Sequence, residues 1–242
     1  MKSKISLLAL LFVLMTYSSC QKEENTQEMP GNIPGMGNAE GQLEIKEPFV
    51  LPEGVSFVGE IRGFGDAPIA IEQPSMVSLK SDENDVLTLG CGGQWIALDL
   101  LLENSDGFNK EVVIPAGCVF ECQEDGYQHG ITLHDVRIHL LGNSQLQVKL
   151  YLFCINKGKH GSSSVVTFII RGVSASQWIK KLTDALLYKG IDVSSFSEEQ
   201  MDEYNRISTG LQDIVWAITN GSGVNQRDWD FINALRDLIN ED

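Results

Sequence analysis

The pattern of apolar and polar positions changes its period once along this chain, near Ser174. Before that point apolar residues alternate with polar ones. In Gln145-Leu146-Gln147-Val148-Lys149-Leu150-Tyr151-Leu152 every second side chain is aliphatic, the period-two signature of a strand with one face in a core. Val136, Ile138 and Leu140 share a face in the same way, with Arg137 and His139 opposite. The alternation predicts strands over Val55–Ile61, Ser75–Leu79, Val86–Leu89, Trp95–Glu103, Glu111–Gln123, Gly130–Leu140, Leu146–Ile155 and Val165–Ile170. Turn-forming runs separate them: Asp82–Asp85, Asn104–Asn109, Glu124–Gly126 and Gly142-Asn143. Short strands at this spacing predict an antiparallel β-sandwich.

After Ser174 the period becomes helical. Ser174-Ala175-Ser176-Gln177 has the form of a capping box, and Trp178, Ile179, Leu182, Leu186 and Leu187 follow at helical spacing, with Gly190 as the C-cap. Ser197-Glu198-Glu199-Gln200 opens a second run that reaches Thr219, with a break at Thr209-Gly210 and a stop at Asn220-Gly221-Ser222-Gly223. A third begins at Asn225, carries Asp228 in its first turn and buries Trp229, Ile232, Leu235 and Ile239. Three helices with one apolar face each cannot close a core alone, so they are expected to pack on the sheet. The fold class is α+β: one globular domain over residues 48–242, a β-sandwich over 48–170 and a helical subdomain over 171–242.

The first residues follow neither period. Met1–Ser19 has Lys2 and Lys4, then an apolar run from Ile5 to Met15, then small residues before Cys20. This is the form of a secretory signal peptide, and the run is too short to span a bilayer. With a cysteine at the cleavage point, the segment resembles a bacterial lipoprotein signal, in which the Cys20 thiol is acylated and becomes the new N-terminus. Gln21-Lys22-Glu23-Glu24 resembles the export signal of Bacteroidota-type surface-exposed lipoproteins. The resemblance implies an outer-membrane chain anchored by lipid and exposed at the cell surface. Residues 20–47 contain Pro30-Gly31 and Pro34-Gly35 and few β-branched residues. They read as a flexible spacer between lipid and domain.

Charge narrows the partners. The chain carries 18 Lys and Arg against 33 Asp and Glu. Loss of the leader removes two lysines and leaves about −17, which repels nucleic acid. Of five cysteines, Cys91, Cys118, Cys122 and Cys154 remain beyond Cys20. Export permits disulfides. Cys118 and Cys122 on one strand are about 13 Å apart, too far to bridge each other, so a disulfide would join this segment to Cys91 or Cys154. Buried free thiols are the simpler reading.

One constellation carries chemistry. Tyr151-Leu152-Phe153-Cys154-Ile155-Asn156 ends an apolar strand, and Gln212-Asp213-Ile214-Val215-Trp216-Ala217-Ile218-Thr219-Asn220-Gly221 lies in the second helical run. The pair resembles the thioester-domain family of bacterial surface adhesins, in which a cysteine bonds to the glutamine of a TQxAIW-type motif. Cys154 matches that cysteine, Gln212 the glutamine, and Val215-Trp216 the aliphatic-Trp pair. Leu211 stands where the family has Ser or Thr. The resemblance implies that the thiolate attacks the Gln212 amide, ammonia leaves, and the thioester later acylates an amine or hydroxyl of a target. His160 is the nearest candidate by sequence to activate the thiol. Read from the residues alone, Thr209 and Gln212 have capping-box spacing, and Cys154 is a typical buried cysteine.

Nothing else in the sequence has catalytic or metal-binding spacing. His129, His134 and His139 recur every five residues, which on one strand sends neighbours to opposite faces, and they read as surface histidines. Asp82–Asp85 lacks the glycine of a calcium loop, and Lys157–Ser164 lacks phosphate-loop spacing. No catalytic residue, metal or cofactor is expected. The first functional expectation is a non-enzymatic surface lipoprotein that binds a partner protein or glycan, as an adhesin does. The alternatives are a covalent adhesin using Cys154 and Gln212, and an envelope enzyme.

Overall fold

The computed structural model describes residues 28–64 and 86–238. Eleven strands lie within them: β1 (Ile45–Pro48), β2 (Val55–Phe57), β3 (Ile61–Gly63), β4 (Leu87–Gly90), β5 (Ile96–Asn104), β6 (Lys110–Ile114), β7 (Cys118–Cys122), β8 (Gly130–Ile131), β9 (Val136–Leu140), β10 (Ser144–Cys154) and β11 (Thr167–Ser174). Three α-helices follow: α1 (Gln177–Leu186), α2 (Met201–Thr219) and α3 (Gln226–Asn233). The predicted strand at Ser75–Leu79 and the turn at Asp82–Asp85 fall outside the described residues.

The architecture corrects the predicted sandwich. β5, β3, β11, β7, β8 and β10 form a closed six-stranded antiparallel barrel, each strand paired with the next and β10 returning to β5. The closing ladder is the longest, running from Ser144↔Asn104 to Leu152↔Ile96. Alternation reports which face of a strand is buried, and a barrel wall and a sandwich layer present it alike. β1, β2 and β4 attach outside the ring, β4 parallel to β10, and β6 pairs with β9 in a separate ladder. The predicted strand Glu111–Gln123 is broken at Pro115-Ala116-Gly117, because proline cannot donate to a ladder.

Two cores lie on opposite sides of the β10 wall. Val148, Leu150, Leu152 and Cys154 face inward with Ile96, Leu98, Leu100, Phe120 and Phe168, under the β6–β9 ladder. Tyr151, Phe153 and Ile155 face outward against Ile179, Leu182, Tyr204, Leu211, Val215 and Ile218 of the helices. Both faces of this wall are buried, which explains why the second half of β10 is apolar without a break.

The helices begin where their caps allow. Ser176, not Ser174, caps α1 through a bond from Ile179 N–H. Ser197 and Gln200 form a reciprocal capping box before α2, as do Asn225 and Asp228 before α3. α1 ends at Leu186, so Gly190 is not its C-cap. α2 runs through Thr209-Gly210 without the predicted break. A methyl group on Gly210 would sit 2.5 Å from the Phe231 ring, so this glycine is there to let α3 approach.

The N-terminal segment departs furthest from expectation. Residues 28–47, expected as part of a spacer, belong to the domain. Ile33, Met36 and Leu43 are buried in the helical core. Gly31 N–H donates to Ile218 O and Gly37 N–H to Ile155 O, both at 2.7 Å. The Glu28 carboxylate accepts from Ser176 Oγ at 2.6 Å, and β1 pairs with β11. Three well-placed apolar side chains are enough to order a proline- and glycine-broken segment when a preformed surface receives them. No helix among the described residues is long and apolar enough to cross a membrane.

Candidate functional site

Cys154 is the last residue of β10, and the fold places Gln212 on it. β5 ends opposite Leu152, two residues short of Cys154. On the other side Ile155 N–H donates to His129 O. Strand alternation therefore turns the N–H and C=O of Cys154 toward the side that β5 has left. The Gln212 carboxamide fills that position. Its Oε1 accepts from Cys154 N–H and its Nε2 donates to Cys154 O, both at 2.9 Å. One side chain thus stands in for a missing strand residue. Gln212 is buried and both polar atoms are used, so the Thr209–Gln212 pair is not a helix cap. Thr209 Oγ1 instead donates to Asn205 O and accepts from Gln94 Nε2.

The surroundings hold this junction from every side. Asn156 accepts from His129 N–H and donates to Gly35 O and Gly37 O. Asn220 Oδ1 accepts from Lys157 N–H. Trp216, one turn beyond Gln212, lies 6.1 Å from Trp95, with the Lys157 ammonium 4.9 Å from its ring centre. Its indole N–H is buried and has no hydrogen-bond partner among the described residues.

The chemistry available follows from this geometry. Burial pushes the Cys154 thiol well above its ordinary value of 9.0, so it is neutral. The carboxamide lies in the plane of the β-ladder, whereas a strand side chain leaves that plane. His160 is exposed and packs on Tyr127, and no hydrogen bond joins it to Cys154. A thioester here would need the carboxamide to give up both of its bonds and the thiol to lose its proton.

Cys91, Cys118 and Cys122 are also buried free thiols. Desolvation raises Cys118 to about 12 and Cys122 to about 11, and Cys91 well above 9.0. Among the described residues no group of three or more His, Cys, Asp and Glu is placed to hold a metal ion. Cys20 and Gln21-Lys22-Glu23-Glu24 lie outside the described residues.

The histidine reading needs correction. Thr132–Asp135 interrupts the predicted strand, so the five-residue spacing does not fix faces. His139 is on the surface. His129 is largely buried, and its Nδ1 accepts from Cys122 N–H at 3.0 Å. Burial, reinforced by Lys159, lowers it to about 4. His134 Nε2 meets Asp192 Oδ2 at 2.9 Å. Asp192 also accepts from Gly90 N–H and Ser194 N–H, both at 2.8 Å. Burial alone would raise Asp192, yet the bonds from His134 and Ser194 hold it below the usual carboxylate range. No sequence motif announces this pair, because its members are 58 residues apart.

A second feature is an apolar groove of about 670 Å³ in the barrel wall. Phe49, Leu51, Phe57, Ile61, Phe168 and Ile170 line it. Val50 and Ile169, at 77% and 40% exposure, stand at its mouth. Sequence alternation marks these residues as apolar but not as neighbours.

Comparison with known proteins found no family model that matches the chain, no similar curated protein and no similar solved structure.

Proposed function

We propose that this chain is a surface-exposed lipoprotein, anchored through Cys20, that acts as a non-enzymatic binding or adhesion module for a partner protein. The observation that carries the reading is the groove between Phe49–Leu51 and Thr167–Ile170. It gathers large apolar side chains at an opening in an otherwise closed wall, and such a patch marks an interaction surface. Its lining includes one ionisable side chain, Glu60, which is paired with Arg62. That composition suits contact rather than acid–base chemistry.

The test displays the full chain on cells and measures adhesion to arrays of immobilised cell-surface proteins and glycans. Saturable adhesion to a protein is expected, with release of the chain from the membrane by Cys20→Ala. Val50→Glu, at an exposed position, is expected to abolish adhesion without moving the thermal midpoint. Undiminished adhesion of V50E would overturn the groove as the contact.

The contact between Cys154 and Gln212 favours a second reading, the covalent adhesin. The two residues that the thioester-domain resemblance pairs come from segments far apart in sequence, and the fold joins the Gln212 side chain to the Cys154 backbone through two hydrogen bonds. Bond formation would expel ammonia and lower the intact mass by about 17 Da. A mature protein at full mass, with Cys154 open to alkylation after unfolding, excludes this reading and leaves the first intact.

A further inference from the structure

The wall strand β11 is paired unequally on its two sides. Toward β7 the register runs from Phe168↔Cys122 to Val173↔Cys118. On the other side β3 takes only Thr167 and Phe168, and β1 takes Gly172 to Ser174. Between them Ile169 and Ile170 have no strand partner on this side, and the Arg171 carbonyl receives only a long bond from Phe49 N–H at 3.4 Å.

Alternation gives this gap a direction. Gln123 N–H donates to Thr167 O at 2.9 Å, so odd-numbered residues of this stretch bond toward β7 and even-numbered ones point away. Phe168 is met there by Ile61. The next such position is Ile170. The residue that would continue β3 toward it is Gly59, at φ +79 in the bulge between β2 and β3, where Val58 N–H turns back to Leu101 O. The N–H and C=O of Ile170 therefore face the groove.

The same situation occurs at Cys154, where a wall strand outruns its neighbour. There the chain supplies a carboxamide of its own. At Ile170 no described residue does so.

The surroundings select the occupant. Glu60 and Glu121 flank the gap, each shared with an arginine. Thr167 bonds hold the Glu124 carboxylate below its usual range and fix it beside the groove. The chain as a whole carries −15. An extended segment with apolar side chains on one face and basic ones on the other matches the wall, the floor and the field.

We infer that a partner protein adds a short, basic, extended segment at Ile170. It pairs its own N–H and C=O with those of Ile170 and sets an apolar side chain among Phe49, Phe57 and Phe168. The inference rests on the binding-module reading and names the partner's chemistry.

The probe is a fluorescent, end-blocked heptapeptide, Lys-Val-Lys-Val-Lys-Val-Lys, titrated into the full chain. A residue directly opposite Ile170 shares its face, so the valines would pair. Saturable binding is expected. N-methylation of the three valines is expected to weaken it by about tenfold or more, and Ile170→Pro by a similar factor. Because I170P risks misfolding, Glu60→Lys on the surface gives an independent check and is expected to weaken binding and flatten its salt dependence. Equal binding of methylated and unmethylated peptides would overturn strand addition while the groove reading stands. Binding of neither peptide, with adhesion still lost in V50E, would also overturn it, as would adhesion to glycans alone. A concentration-dependent dimer of the free chain that V50E dissolves would assign the gap to a second copy and overturn the partner segment.

Discussion

Gln212→Ala is expected to lower the unfolding free energy by about 2–5 kcal/mol, read as a fall in denaturant midpoint at unchanged slope. The side chain is buried, its Nε2 donates to Cys154 O and its Oε1 accepts from Cys154 N–H. Truncation leaves a buried N–H and a buried C=O without partners, and each costs about 1–3 kcal/mol. Gln212→Glu separates this account from simple loss of volume. Its ionised form cannot donate to Cys154 O and would be equally harmful at neutral pH. Its protonated form can donate and accept like the amide, so the gap to wild type should narrow on acidification when both are compared at each pH. A change within about 0.5 kcal/mol for Q212A would mean that water or a shifted strand satisfies Cys154 and would remove the account.

Stability should also fall steeply with acid, through His129. Its pKa is about 4 in the fold and about 6.5 in an unfolded chain. The folded-state value is the lower one, so the unfolded chain takes up the proton first. Stability is fully present above about pH 6.5, declines as pH falls toward 4, and stops declining below that. The difference is worth about 3 kcal/mol. The cause is burial of the ring, reinforced by the Lys159 charge, and the folded Nδ1 is occupied as an acceptor for Cys122 N–H. His129→Asn retains an acceptor without a titrating group and should flatten stability between pH 4 and 6.5. Asp192 contributes lower on the scale. Its pKa is depressed, so its stabilisation is present above the ordinary carboxylate range and is lost as pH falls through its folded value. A wild-type denaturation midpoint that does not move between pH 7 and 4 would refute the His129 assignment.

Local structure was legible in the sequence where it depended on neighbouring residues. Alternation from Gln145 to Leu152 located β10 and assigned its inner side chains. The capping box at Ser197, and Asn225 followed by Asp228, located the starts of the second and third helical runs. The pairing of Cys154 with Gln212 was legible as juxtaposition only; that Gln212 would meet the Cys154 backbone was not. Closure of the barrel was hidden, because Leu152 meets Ile96 across 55 intervening positions and no local period encodes that. The order of residues 28–47 was hidden because Pro30, Gly31, Pro34 and Gly35 also suit unfolded chain. Here Gly31 and Gly37 adopt positive φ and let the backbone lie against Gly221 and Thr219. The contact of His134 with Asp192 was hidden because the chain bends between Ile131 and Val136, where no residue pattern marks the end of a strand.

The docking of the N-terminal segment also has a mechanical consequence. Tension arriving from residue 27 meets the domain at Glu28, which is tied to Ser176 Oγ, Trp178 N–H and the Trp178 indole. Behind that clamp the chain threads past Ile218 and Ile155 before it joins the barrel as β1. If the proposed anchor at Cys20 bears load, that load would be delivered first to the seam beside Cys154 and Gln212, and the groove at Ile170 would be reached only after β1 is stripped from β11. The part of the molecule proposed to hold a partner is the part furthest along the path of force.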